Sequence, residues 1–377
     1  MPLTSPKGTM PKTSTTPPTE KLLGLEALRF FAAFAVLIWH YQHFSYVADT
    51  PVDFVRNQLP FYGLFYPFYE AGVYGVWLFW CISGFIFFWK YRDAISGRTV
   101  GGWKFFVFRL SRLYPLHLVT LLMVALMQPI YFYLHGFFFV YQNNDVQHFI
   151  PQLFMASDWG LLRSNSFNGP IWSISVEVLV YAVFFLTLRF ATKSPLANVI
   201  VIAICVNANA QIGPCLAFFY AGGLAAIGRR AIARSPFRLP IETAAWCAVA
   251  AVPVSIWMFS LDSWIFLLFY TPILLFCFSG QMVLSLPSQR LLEAAGNMTY
   301  SSYLLHFPIQ ILIALGFSIV RRPIPFYDDL FFASFVAVTL LASYLTYRYF
   351  EAPAQALIRS HLSSNQGRQL GQVQSRL

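Results

Sequence analysis

Apolar residues fall in long blocks along the chain, and polar or charged residues gather between them. Ten blocks read as helices: 22–46, 71–91, 105–134, 170–190, 195–208, 212–228, 243–260, 263–284, 299–320 and 329–350. A bilayer core of about 30 Å takes roughly 20 helical residues. A segment inside it must satisfy its own backbone hydrogen bonds, which makes helix the expected form. The fifth block is the weakest, being short and ending in the polar stretch Asn207-Ala208-Asn209. The expected fold is all-α and polytopic, with about ten transmembrane helices.

The polar intervals orient the helices. If the N-terminus is cytoplasmic, most of the 25 lysines and arginines fall in inner segments, as the positive-inside rule requires. The outer segments then collect Asp49, Asp53, Glu70, Asp145, Asp158, Asp262, Asp328 and Asp329. That alternation implies an even number of spans, with both termini cytoplasmic. Residues 1–20 are rich in Pro, Thr, Ser and Lys and lack an apolar core. They are expected to form a disordered cytoplasmic leader rather than a cleaved signal peptide. Residues 21–355 are the expected membrane domain, and 356–377 a disordered cytoplasmic tail. The two longest outer loops, about 47–70 and 135–169, are too short for an ordinary separate domain. No internal repeat of the kind found in many transporters is visible.

Composition narrows the class. The chain is 58% hydrophobic and 11% charged, with a mean hydropathy of +0.59. A soluble domain carries about a quarter charged residues. The net charge of +10 lies in short loops, so it reads as a topology signal and not as a nucleic-acid surface. Cys81, Cys205, Cys215, Cys247 and Cys277 lie in apolar surroundings without C-x-x-C spacing. They are expected to be small hydrophobes, neither disulfide-bonded nor metal-binding; no metal site is expected.

A few polar residues interrupt the apolar blocks, and ionisable groups there are functional candidates. In the first helix, Arg29 and His40 are eleven positions apart. Eleven steps of 100° bring them to within about 20° of one face, at a separation of roughly 16 Å. Alone, Arg29 is explained as a headgroup anchor and His40 as a packing residue. Ser83-Gly84 is a small polar step in a bulky helix, consistent with close helix packing. Arg109 and Arg112 share a face three residues apart, and two guanidinium forks suit phosphates. Taken alone, inner-face anchoring is the better explanation of the pair. Glu177 follows the helix start at Pro170 and is expected about 10 Å deep, at the depth of His40, where it would orient the imidazole. His43, near His40, is an alternative base. His306 sits in Tyr303-Leu304-Leu305-His306-Phe307-Pro308. Glu351, at the end of the last helix, is explained as a solvated cytoplasmic residue.

Together these stretches resemble the membrane-bound acyltransferase-3 family of glycan O-acyltransferases. Leu25 to Arg29 through His40 is similar to the family's Arg-x10-His signature, and Arg109-Leu110-Ser111-Arg112 to its R-x-x-R. Ser83-Gly84-Phe85, Trp172 to Glu177 and Tyr303 to Pro308 follow in the expected order. The chain has Glu26-Ala27 where the family often has Asp-Gly, and Trp77 where it often has an acidic residue. Many relatives carry an extra hydrolase-like domain, for which this chain ends too soon. The resemblance implies transfer of an acyl group, usually acetyl, from cytoplasmic acyl-CoA to a sugar hydroxyl of a cell-surface glycan or lipid-linked saccharide. Acetyl-CoA would be a co-substrate, with no permanently bound cofactor. The setting would be a bacterial inner membrane. In that frame Arg29, Arg109 and Arg112 bind the acyl donor, His40 is the general base and Glu177 its orienting partner. Ser83, Trp172, Tyr303 and His306 line the substrate channel. A transporter or flippase for a small solute or lipid-linked sugar is the competing class, supported by the polytopic frame and the buried charges.

Overall fold

The computed structural model describes residues 22–361 except 163–164, 207, 209–210, 260–262 and 281–283. The expected leader, the end of the tail, Asn207, Asn209 and Asp262 lie outside the described residues. Among the described residues the regular structure is helical apart from a two-stranded ladder, Tyr46–Val47 against Thr50–Pro51. The helices are α1 (Leu23–His40), α2 (Tyr62–Ala71), α3 (Gly75–Ser96), α4 (Gly102–His135), α5 (Val146–Leu153), α6 (Ile171–Leu186) and α7 (Pro195–Cys205). They continue with α8 (Ile212–Ile232), α9 (Arg238–Phe259), α10 (Ser263–Phe278), α11 (Leu286–Asn297), α12 (Thr299–Ile319) and α13 (Asp329–Thr346).

Each of the ten apolar blocks overlaps one of these helices, and α3, α4, α8 and α9 run past their block. Among the described residues, seven segments are long and apolar enough to cross a membrane: Leu23–Ser45, Tyr62–Ser96, Gly102–His135, Ile171–Ala191, Ile212–Ile232, Thr299–Ile319 and Asp329–His361. α7 is shorter and apolar, as is Phe266–Phe278 within α10. Polar side chains set several starts. Asp145 accepts from His148 N at 2.9 Å to cap α5, and Asp328 accepts from Phe331 N at 2.7 Å to cap α13. Such caps satisfy backbone N–H groups left free at a helix start.

Three helices were not expected. α2 lies in the loop that follows α1 and turns aromatic rings onto α1, with Phe34 edge-on to Phe65 and Phe68 at 6.0 and 5.8 Å. α5 lies in the long connection between α4 and α6, and α11 links α10 to α12. The chain also stays helical to His361, so the domain limit placed at 355 falls within a helix. Arg359 ties that extension back to α4, donating to the Phe108 carbonyl at 3.2 Å.

α3 and α8 pack backbone to backbone. A Cβ at Gly84 would collide with the Phe219 carbonyl, and one at Gly222 with the Cys81 carbonyl. Small residues allow that approach, and the Ser83-Gly84 step serves it. Around the contact, Phe87, Phe88, Phe105, Phe184 and Phe219 form a buried aromatic core. The five cysteines are free, and Cys81, Cys215 and Cys277 are buried.

Between α5 and α6 the chain turns back among the helices. Asn168 is fully buried and donates from Nδ2 to the Leu304 carbonyl at 3.1 Å. Gln152 Nε2 donates to the Ser166 carbonyl at 2.8 Å, and Trp159 Nε1 to the Ser175 carbonyl at 2.8 Å. These bonds tie the irregular segment to α6 and α12, and the one to Ser166 satisfies a carbonyl of the segment itself. α6 therefore begins inside the bundle, level with the second turn of α12 at Tyr303 and Leu304.

Candidate active site

Five helices bring polar side chains to one cleft of about 840 Å³, space open to solvent included. α1 supplies Arg29, α3 Ser83, α4 Arg109 and Arg112, and α6 Ser173, Glu177 and Tyr181; α12 closes it with Tyr300 and Tyr303. Arg29 is paired with Glu26 at 2.9 Å, one helical turn away. Arg109 stacks on aromatic rings, its guanidinium 3.9 Å from the centre of Phe87 and 5.1 Å from that of Tyr91. Among the described residues, no carboxylate lies within ion-pair distance of Arg109 or Arg112. The cleft thus has a surplus of fixed positive charge in apolar walls, where an anion is held strongly.

Glu177 accepts hydrogen bonds from the hydroxyls of Ser83 and Tyr181, the latter at 2.7 Å. The Ser173 and Tyr303 hydroxyls are 2.7 Å apart, and Tyr303 also donates to the Pro170 carbonyl at 2.9 Å. Trp172 stands edge-on to Trp80 with ring centres 5.7 Å apart. Trp172 touches the cleft lining through Trp80 and is not itself among the residues that line the cleft.

Beyond the Tyr303 end of the cleft comes a row of imidazoles. The ring centres of Tyr303 and His306 are 6.1 Å apart, those of His306 and His40 4.7 Å, and those of His40 and His43 4.9 Å. His40 Nδ1 lies 2.9 Å from the Val36 carbonyl and His306 Nδ1 3.2 Å from that of Ser302. A carbonyl oxygen can only accept, so both Nδ1 atoms carry the proton and both Nε2 atoms present lone pairs. His43 is bonded to Gln310 Oε1 at 3.2 Å, and Gln310 Nε2 donates to the His40 carbonyl at 2.8 Å.

The expected pair between Glu177 and His40 does not form. Its depth was counted from Pro170 as though that residue lay at the membrane surface. Pro170 is instead buried beside Tyr303, so seven further residues carry Glu177 about 10 Å toward the arginines. The carbonyl of Val36, not a carboxylate, fixes the His40 tautomer. Glu351 is corrected as well: it is only 4% exposed and accepts from Ser301 Oγ at 2.7 Å.

Sequence reasoning passed over Tyr181, Tyr300 and Gln310. Two had a signal, since Tyr181 follows Glu177 by four residues and Gln310 follows His306 by four, the spacing of helical neighbours. Tyr300, whose hydroxyl reaches the Leu113 carbonyl at 2.6 Å, had none.

Helices of spanning length around a charged intramembrane cleft define a multi-pass membrane protein with a buried polar site. The chain belongs to the acyltransferase-domain family, whose model (Acyl_transf_3) matches residues 22–348. It is similar to the acyltransferase MdmB of Streptomyces mycarofaciens, with 30% identity over 187 residues. That match covers 48% of this chain and 42% of the relative, so it spans less than half the length of that protein. No solved structure matches the chain.

Proposed function

We propose that the protein is a membrane O-acyltransferase that moves an acyl group, acetyl as the first choice, from cytoplasmic acyl-CoA to a hydroxyl of a cell-surface or exported glycan. In this reading ten helices cross a bacterial inner membrane and both termini are cytoplasmic. The observation that supports it is the convergence of Arg29, Arg109 and Arg112 on one cleft whose far end adjoins His40 and His306.

The CoA phosphates pair with Arg109 and Arg112 at the cytoplasmic end. The pantetheine arm runs along the cleft past Arg29 and Ser83. Arg29 and His40 are roughly 16 Å apart along α1, a span suited to a flexible arm that starts at the arginines and presents a thioester to the imidazole. His40 Nε2 takes the proton of the acceptor hydroxyl as its oxygen attacks the thioester carbonyl. The C–S bond breaks, and the CoA thiolate leaves and is protonated. Glu177 holds Ser83 and Tyr181 in place beside the arm.

Purified full-length protein in detergent tests the assignment. His40→Ala keeps acetyl-CoA binding and loses about 10²–10⁴-fold in turnover, the usual contribution of a general base. Unchanged turnover in that variant removes His40 from the chemistry.

A further inference from the structure

The lining stripe of α3 runs on past the cleft. Phe79 and Ser83 line the cleft, and Lys90 follows them by eleven and seven positions. At 100° per residue the three fall within about 40° of one face. Lys90 therefore continues the lining, roughly 10 Å beyond Ser83 along the helix axis. In sequence it stands between Phe87 and Tyr91, the two rings that hold the Arg109 guanidinium. Lys90 is exposed. Among the described residues, no carboxylate lies within ion-pair distance of it. The charges of Arg109, Arg112 and Arg29 act on it, as does the opposing charge of Glu26.

We propose that Lys90 is a second anion subsite at the mouth of the cleft, where it takes the ribose phosphomonoester of the acyl donor and sets the preference for CoA over analogues without that group. This rests on the acyltransferase reading above and divides the donor's phosphates. An acyl-CoA carries a diphosphate within its chain and a phosphomonoester on its ribose. The paired forks of Arg109 and Arg112 match the diphosphate. The monoester brings a further charge of about −1.5 to −2 near pH 7, and the arginine pair leaves it without a cation of its own. A hydrated ammonium on a flexible stem suits a group that stays partly in water. No bond is made or broken at Lys90, so its effect is on donor binding.

The test titrates full-length protein in detergent with acetyl-CoA and with acetyl-3′-dephospho-CoA. Native protein is expected to bind acetyl-CoA about fivefold more tightly, as one solvent-exposed ion pair allows. In Lys90→Met that ratio should fall to within about twofold of one, through weaker binding of acetyl-CoA alone. Arg112→Ala should weaken both compounds alike, because both carry the diphosphate. Partial misfolding would also weaken both, and a lysine that only anchors α3 among lipid headgroups would leave the ratio unchanged. Lys193→Met removes the same charge beside Asp93 and should keep the native ratio. Should Lys90→Met fail to fold, Lys90→Gln decides by the same ratio. Three results each overturn the subsite and leave the acyltransferase reading standing: no preference in native protein, a native ratio in a folded Lys90 variant, or an equal loss in Lys193→Met. No binding of either compound to native protein overturns both.

Discussion

Among single residues, Glu177 separates structure from chemistry most cleanly. Glu177→Leu leaves the Ser83 and Tyr181 hydroxyls without their acceptor, at about 1–3 kcal/mol each. Glu177→Gln keeps an oxygen there. The Leu variant should therefore melt several degrees below native in detergent and the Gln variant close to it. Equal melting of the two would mean that the carboxylate is not the acceptor those hydroxyls need. The Arg29–His40 stripe was readable from the chain because helical periodicity alone places both on one face. The partner of Glu177 was not, because it depends on where α6 starts, and burial of Asn168 against α12 decides that. Two departures from the family pattern also have local reasons. Glu26 serves as the ion-pair partner of Arg29, and Trp77 stacks on Phe218 with ring centres 5.4 Å apart.

At the level of elements, glycines report how the helices are held. Gly84→Ala should destabilise the protein by about 1–3 kcal/mol or more, since its methyl group meets fixed backbone of α8 and overpacking is costly. Gly316→Ala has open space around it and should stabilise α12 by about 0.5–1 kcal/mol. Thermal melts of the two variants check the contrast, and a tolerated Gly84→Ala would mean that α3 and α8 are not in backbone contact. α5 offers a pH test. The hydrogen bond from His148 holds the Asp145 carboxyl below its usual range of about 3.9. A lowered folded-state value means that the cap's contribution is present above that range and lost as pH falls through the lowered value. Protection of the His148 amide, its exchange taken relative to an unstructured chain at the same pH, should fall over that interval and be low at all pH values in Asp145→Ala. Exchange indifferent to both changes would show that α5 does not depend on its cap. α2, α5 and α11 were not legible because they are only 10, 8 and 12 residues long. Helices that short depend on tertiary packing rather than on their own periodicity. The long apolar blocks carried their own signal.

For the molecule as a whole, the outward surface is the one lipid would meet. Leu126, Tyr133, Phe190, Phe269 and Leu330 are each at least 68% exposed, while the charged side chains of the cleft face inward. The proposed topology places the start and end of the chain on one side of the membrane. Reporter tags at the two termini should accordingly show the same cytoplasmic accessibility in intact cells, and opposite accessibility would overturn the even span count. The central claim is that the arginine cleft holds the CoA end of an acyl donor. Its most direct test is a calorimetric titration of acetyl-CoA into detergent-purified native protein and into Arg112→Ala. Losing one charge-assisted contact of about 1.5–3 kcal/mol should weaken binding roughly tenfold or more. Equal affinity in the two proteins, or no binding to the native one, would contradict the account.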